Sequence, residues 1–377
     1  MTTSMPQEPS SLATPKVGDG SGIEASGQLH KEELQLALRN KAMPLEALRY
    51  DVTPTGLHYT LVHYDIPYVD PASWRLDVHA GAGKSLSLSL DDLQHRPAKT
   101  LRVTLECAGD GRALLQPRPI SQPWLTGAIG TAEWTGTPLR NLLEEAGISD
   151  DKNVREIVFT GLDRGIEGGV EQDYQRSLSL QAAVHEDVLL AWSMNGAPLE
   201  PQHGYPLRLI VPGWYGMAHV KWLRSIEAIG YNFEGYQQAI AYRYNQSRSE
   251  PGEPVSLIRV RSLMIPPGIP DYLTRTRQVQ KGVVKLTGRA WSGAGYITAL
   301  DVSVDGGSTW SAAEVDQPAD AHGWQSWSYV WDASTPGSYG LCCRAQDSAG
   351  NIQPVDQYWT ARGMGNNMVH RVQAVVA

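Results

Sequence analysis

The chain has 377 residues, 41% hydrophobic and 19% charged, with a formal net charge of −8. That length corresponds to about two domains at roughly 100–200 residues each, with enough apolar material for a sizeable core. The acidic balance and a pI near 5.7 exclude a nucleic-acid binder, whose contact face needs clustered Lys and Arg, and no run of about 18 apolar residues is present to span a membrane.

Met1 to about Ser26 is rich in Ser, Thr, Gly and Pro. Lacking an apolar core segment and a twin-arginine pair, it reads as a flexible tail rather than a signal peptide. A cytoplasmic location is therefore expected, with a periplasmic one left open. Three cysteines make no disulfide framework, and the adjacent Cys342 and Cys343 are poorly placed to bond to each other.

Lys31 to Arg39 places Leu34 and Leu38 on one face and predicts a short amphipathic helix. From Tyr59 onward the chain alternates in strand fashion, and the apolar strand Leu101–Leu105 runs into Cys107. Thr137-Pro138-Leu139 predicts a helix start, with Thr137 as the cap, Pro138 at the first helical position and Gly147 as the stop. Leu139, Leu142, Leu143 and Ala146 form its buried stripe. A second helix is expected over Leu178–Ala183 and an apolar strand over Leu207–Val211.

Ser249–Pro254 has the composition of a linker. Beyond it, Val283–Ala290 and Thr298–Val304 alternate with period two, and Asp305-Gly306-Gly307 supplies a turn. About seven strands in roughly 120 residues is the count of an immunoglobulin-like sandwich. The expected fold class is α+β, with residues 1–44 as tail and short helix, 45–248 as a mixed α/β domain and 249–377 as the sandwich.

Cys107 ends a strand and enters Ala108-Gly109-Asp110-Gly111-Arg112, where small residues let the backbone approach a ligand closely. Taken alone, such a cysteine is either a small buried hydrophobe or a thiolate in the positive field of Arg112. No Cys-x-x-Cys or closely spaced Cys/His set accompanies it, so a metal held here must take its other ligands from a cofactor.

Leu105-Glu106-Cys107-Ala108-Gly109-Asp110-Gly111-Arg112 resembles the cysteine motif of the sulfite oxidase family. Trp124 to Gly136, Met194-Asn195-Gly196-Ala197-Pro198-Leu199 through His203-Gly204-Tyr205-Pro206-Leu207-Arg208, and Val211-Pro212-Gly213-Trp214-Tyr215-Gly216 into His219-Val220-Lys221-Trp222-Leu223 are similar to the family in the same order. Ala290-Trp291-Ser292-Gly293 and Val302 to Trp310 resemble its dimerisation domain. The resemblance runs from about residue 45 to the C-terminus.

It implies that residues 45–248 bind one molybdenum–molybdopterin, with Cys107 as the thiolate ligand to the metal, a soft donor suited to an already sulfur-ligated metal. By match, Asp163, His203, Arg208, His219 and Lys221 hold the cofactor. Arg112, Arg362, Trp124 and Tyr242 form the substrate pocket, with Tyr244 an alternative to Tyr242. In Leu61-Val62-His63-Tyr64-Asp65-Ile66-Pro67 the family's usual arginine is His63, and the acidic residue usually before the tyrosine is Ala241. His63, with a reference pKa near 6.5, removes charge at neutral pH and leaves sulfite binding weak, confined to lower pH, or replaced by another substrate.

The implied reaction is oxidation of sulfite to sulfate by oxo transfer. No Cys-x-x-Cys-His and no haem domain before residue 45 are seen, so the electrons pass to an external acceptor such as a cytochrome. A homodimer is implied. The alternatives are another oxo-transfer substrate (nitrate, a sulfoxide or another sulfur group) on the same scaffold, or a weakly active member with mainly an assembly role.

Overall fold

The computed structural model describes residues 29–81 and 83–377, so the tail expected over Met1 to about Ser26 lies outside them. The helix Lys31–Arg39 forms as expected, but with its faces reversed. Leu34 and Leu38 are exposed, whereas Glu33 is buried against the Arg118 guanidinium. A charge pair, not an apolar stripe, seats this helix on the rest of the protein.

Two sheets frame the N-terminal part. In one, the strand Lys99–Glu106 pairs antiparallel with Ile129–Pro138, which pairs with Leu189–Met194, which in turn pairs with Arg208–Ile210. In the other, the order is Leu86–Leu88, Leu76–His79, Leu223–Ile229, Glu156–Glu167, Val170–Ser179. The helix Leu139–Glu145 carries the expected stripe, with Leu139, Leu142, Leu143 and Ala146 all buried. Its start differs from expectation: Thr137 and Pro138 remain in the strand, opposite Leu190 and Leu189. The Val188 carbonyl, rather than a threonine hydroxyl, takes the first helical N–H, that of Leu139, at 2.8 Å. The second helix is a single turn, Leu180–Ala183, capped by Ser179.

The C-terminal part is two sheets over one core. Arg261–Met264, Val283–Trp291, Gln325–Asp332 and Glu314–Val315 form four strands. Ile269–Pro270, Arg277–Val279, Arg371–Val376, Gly337–Asp347, Ile297–Ser303 and Ser311–Ala312 form six. Short edge strands raise the number above the expected seven or so. Met264, Leu286, Trp327, Leu341 and Cys343 lie in the core they share. Cys342 and Cys343 are both buried free thiols. Within the expected linker, Glu253–Pro254 pairs with Arg243–Tyr244. Among the described residues no helix is long and apolar enough to cross a membrane.

One buried ion cluster joins the two parts. Arg261 Nη1 lies 2.6 Å from Glu106 Oε1 and 3.0 Å from Asp110 Oδ2, with all three side chains almost completely buried. Trp291 Nε1 donates to the other Glu106 oxygen at 2.7 Å. Arg261→Met would leave two buried carboxylates without their cation, a change expected to cost about 3–5 kcal/mol. Chemical denaturation checks this, and an unchanged midpoint would refute the role assigned to the cluster.

Candidate active site

Cys107 follows the strand Lys99–Glu106 directly, and its own N–H donates to Ala128 O at 2.8 Å. The Asp110 N–H returns to Cys107 O at 2.9 Å, closing a tight turn in which Gly111 takes a φ of +83°. That left-handed conformation favours glycine. Burial pushes the Cys107 thiol up, while Arg112, the Gly109 N–H and the Trp124 indole favour the thiolate. Among the described residues no group of three His, Cys, Asp or Glu could hold a metal ion.

Two cavities meet at this cysteine. The inner one, about 630 Å³, is lined by Cys107, Asp163, His203, Arg208, His219 and Lys221. The outer one, about 990 Å³, is lined by Arg112, Trp124 and Arg362. Leu61, His63, Cys107 and Tyr242 border both. Apart from Tyr244, the residues singled out in the sequence therefore converge, from His63 to Arg362, on these two spaces.

The inner cavity carries buried polar atoms without partners: Asp163 Oδ1, His203 Nε2, Arg208 Nε and His58 Nε2. Such atoms are costly unless a ligand satisfies them. Arg208 gives its other nitrogens to His203 O (2.9 Å) and His219 O (3.3 Å), and its guanidinium lies 4.7 Å from the Trp134 ring centre. Lys221 donates to Leu61 O and Gln202 O at 2.7 and 3.0 Å. Burial pushes Lys221 down to about 7, aided by Arg208, and pushes Asp163 up to about 7 against Lys221. His203 is held down at about 2, chiefly by burial and then by His58 and the cations. His219 plays a different part from the others. Its Nδ1 accepts the Val211 N–H at 3.1 Å and its Nε2 reaches Trp214 O at 3.0 Å, so both ring nitrogens serve the fold.

In the outer cavity, Arg112 is 4% exposed and is clamped by carbonyls: Nε to Arg362 O and Nη1 to Gln122 O, each at 3.0 Å. A Cβ at Gly109 would meet its guanidinium at 2.5 Å, and one at Gly363 its Cγ at 2.6 Å, so both glycines are sterically required. Arg362 brings a buried Nε with no partner.

Tyr242, not Tyr244, faces the cavities. It follows the π-helical turn Gln237–Ala241, and its hydroxyl lies 2.7 Å from His63 Nε2. Tyr244 instead stacks on Arg259 and Tyr358. Burial, then Lys221, Arg39 and Arg112, hold His63 down at about 3. A buried ring among three cations resists protonation, which weighs against the alternative in which sulfite binds only at lower pH.

Several site residues escaped the sequence reading. His58 stacks edge-on to His203 at 5.7 Å in the inner cavity. Arg39, from the helix grouped with the tail, lines the outer cavity and donates to His63 O at 3.3 Å. Neither lies in a block that carried the resemblance.

Residues 63–237 match the family described as the oxidoreductase molybdopterin binding domain, and residues 255–377 the Mo-co oxidoreductase dimerisation domain. The mitochondrial sulfite oxidase of Homo sapiens is 36% identical over 346 residues, a match covering 86% of this chain. This chain spans only 62% of that relative's length. The sulfite oxidase of Gallus gallus is 34% identical, with 85% of this chain and 72% of that protein covered. Among solved structures, the sulfane dehydrogenase SoxCD from Paracoccus pantotrophus is similar at a TM-score of 0.76 and 27% identity, covering 88% of this chain and 83% of that one. With a strand-end cysteine between two cation-lined cavities and these matches along its length, the chain belongs to the sulfite oxidase family of molybdopterin-dependent oxidoreductases.

Proposed function

We propose that this enzyme oxidises sulfite to sulfate, with Cys107 ligating the molybdenum of one molybdopterin seated in the inner cavity. The observation that carries the reading is the junction at Cys107, where a space lined by unpartnered polar atoms opens into one lined by arginines. The residues present fit the group. Arg208 and Lys221 suit its phosphate, while Asp163, His203 and His58 suit a heterocycle rich in donors and acceptors. Cys107 is the soft donor at the boundary. His219 fixes the Val211 and Trp214 backbone around them.

Oxygen-atom transfer and uptake of two electrons are the chemistry that the bound cofactor supplies. Arg112 and Arg362 draw the anion to the Cys107 end of the outer cavity and offset its charge. Arg112 arrives already held by two carbonyls, so little ordering remains to be done on binding. In the tautomer whose Nε2–H donates to the Tyr242 oxygen, His63 leaves the phenol hydrogen free for a substrate oxygen. Trp124, 4% exposed, keeps water from that end of the cavity. Sulfite gains one oxygen derived from water and releases two protons and two electrons. The electrons pass to an external acceptor such as a cytochrome, and residues 255–377, an immunoglobulin-like pair of sheets, join two copies.

A second reading is favoured by the neutral His63 and by the likeness to a sulfane dehydrogenase. In it, the same site oxidises a sulfur group of lower charge than sulfite.

Metal analysis of protein from a cofactor-producing host, with sulfite and ferricyanide, tests the proposal. About one molybdenum per chain with sulfite turnover is expected, and loaded protein without turnover would refute sulfite. Cys107→Ser is expected to keep pterin, read by its fluorescence after release, and to lose activity by at least about 100-fold. Full activity in that variant would remove Cys107 from the metal. His63→Arg is expected to lower the sulfite KM by about tenfold, since it adds a fixed cation to a buried site. An unchanged KM would mean that charge at position 63 does not limit sulfite binding.

A further inference from the structure

Among the described residues seven arginines are buried, and they sort into two groups. Arg118, Arg261, Arg277 and Arg289 each face a carboxylate: Glu33, Glu106 with Asp110, Glu46 and Asp51 respectively. Arg112, Arg208 and Arg176 form no ion pair among the described residues, and give their protons to carbonyls instead. Arg112 and Arg208 line the two cavities. Arg176 lines neither, although it is 3% exposed and its Nε has no partner.

Its position explains the exception. Arg176 lies on the strand Val170–Ser179, directly behind Tyr242, with its guanidinium carbon 5.7 Å from the ring centre. Nη1 donates to Gln237 O at 2.6 Å, the first residue of the π-helical turn that ends at Tyr242. A buried cation without a counter-ion is unfavourable in the empty protein, because desolvation is not offset by a partner. It becomes favourable when an anion enters nearby, since the interior does not screen the attraction as water does. On the reading of the outer cavity as an oxyanion site, we propose that Arg176 is a positioning residue for the anion. It holds the turn that aims Tyr242 and adds an uncompensated positive charge behind that ring. The neutral His63 supplies no charge from the other side of the phenol, so the fixed charge behind the ring is that of Arg176.

The test compares Arg176→Met and Arg176→Lys with the parent holoenzyme. Sulfate, the product anion, is the probe: its inhibition constant against sulfite and its direct calorimetric binding are measured beside KM, kcat and Tm. Arg176→Met is expected to weaken sulfate binding and raise the sulfite KM by about tenfold or more, with a smaller change in kcat. Its molybdenum content and Tm should equal or exceed the parent's, because an uncompensated buried charge has been removed. Arg176→Lys keeps the charge and is expected to return sulfate binding to within about threefold of the parent. Sulfate binding within about twofold of the parent in Arg176→Met would overturn the proposal, as would loss of its folded state, which would mark a structural arginine. If the parent oxidises sulfite and binds sulfate while Arg176→Met matches it, only the role of Arg176 falls. A molybdenum-loaded parent that neither binds sulfate nor oxidises sulfite would overturn both this proposal and the oxyanion reading.

Discussion

The site depends on the buried cluster in which Arg261 faces both Glu106 and Asp110. Those carboxylates flank Cys107 in sequence, and the arginine comes from the first strand of the C-terminal sheets. The turn that presents the thiol is thus braced by the other half of the molecule. Gly365 N–H adds a bond to Ala108 O at 2.7 Å, and Asn366 Nδ2 one to Gly111 O at 3.0 Å. A side chain presented at the meeting point of two cavities needs a fixed direction, and charge-assisted bonds in a dry interior hold direction more firmly than apolar packing does. The C-terminal part therefore contributes to the site itself: Arg362 and Met364 border the outer cavity, and Arg261 braces the turn that presents Cys107.

Around that turn, the protein separates buried charges that are balanced from those that are not. Where arginine joins segments, a carboxylate meets it. Arg112 and Arg208, at the two cavities beside Cys107, give their protons to carbonyls and meet no carboxylate among the described residues. The polar atoms without partners follow the same division, with Asp163, His203, His58 and Arg208 gathered in one space. A protein interior tolerates such atoms only where something else completes them. His58, His63, His203 and His219 are all held well below their ordinary pKa by burial among cations, so they act as neutral donors and acceptors.

Much of this was legible in the chain. The run Cys107 to Arg112 combines a thiol, two glycines and an arginine within six positions, and its local geometry follows from those residue types. The buried stripe of Leu139, Leu142, Leu143 and Ala146 followed from helical spacing, and period-two alternation marked the C-terminal strands. The errors share one cause. Thr137 was read as a cap because local pattern knows nothing of the neighbouring Val188 carbonyl. Helical spacing put Leu34 and Leu38 on one face, but it cannot reveal that Glu33 meets Arg118 across the fold and seats the helix there.

The sequence by itself determined the mixed, strand-rich character of the fold and the turn of small residues after Cys107, which rest on residue type and near-neighbour spacing, and through its resemblance it pointed to the family. Only the tertiary structure decided which of Tyr242 and Tyr244 faces the cavities, that His219 spends both nitrogens on the backbone, and that His63 stays neutral. It alone also brought His58 and Arg39 to the cavities. Each of those outcomes depends on burial and on partners distant in the chain, and neither quantity is encoded at a single position.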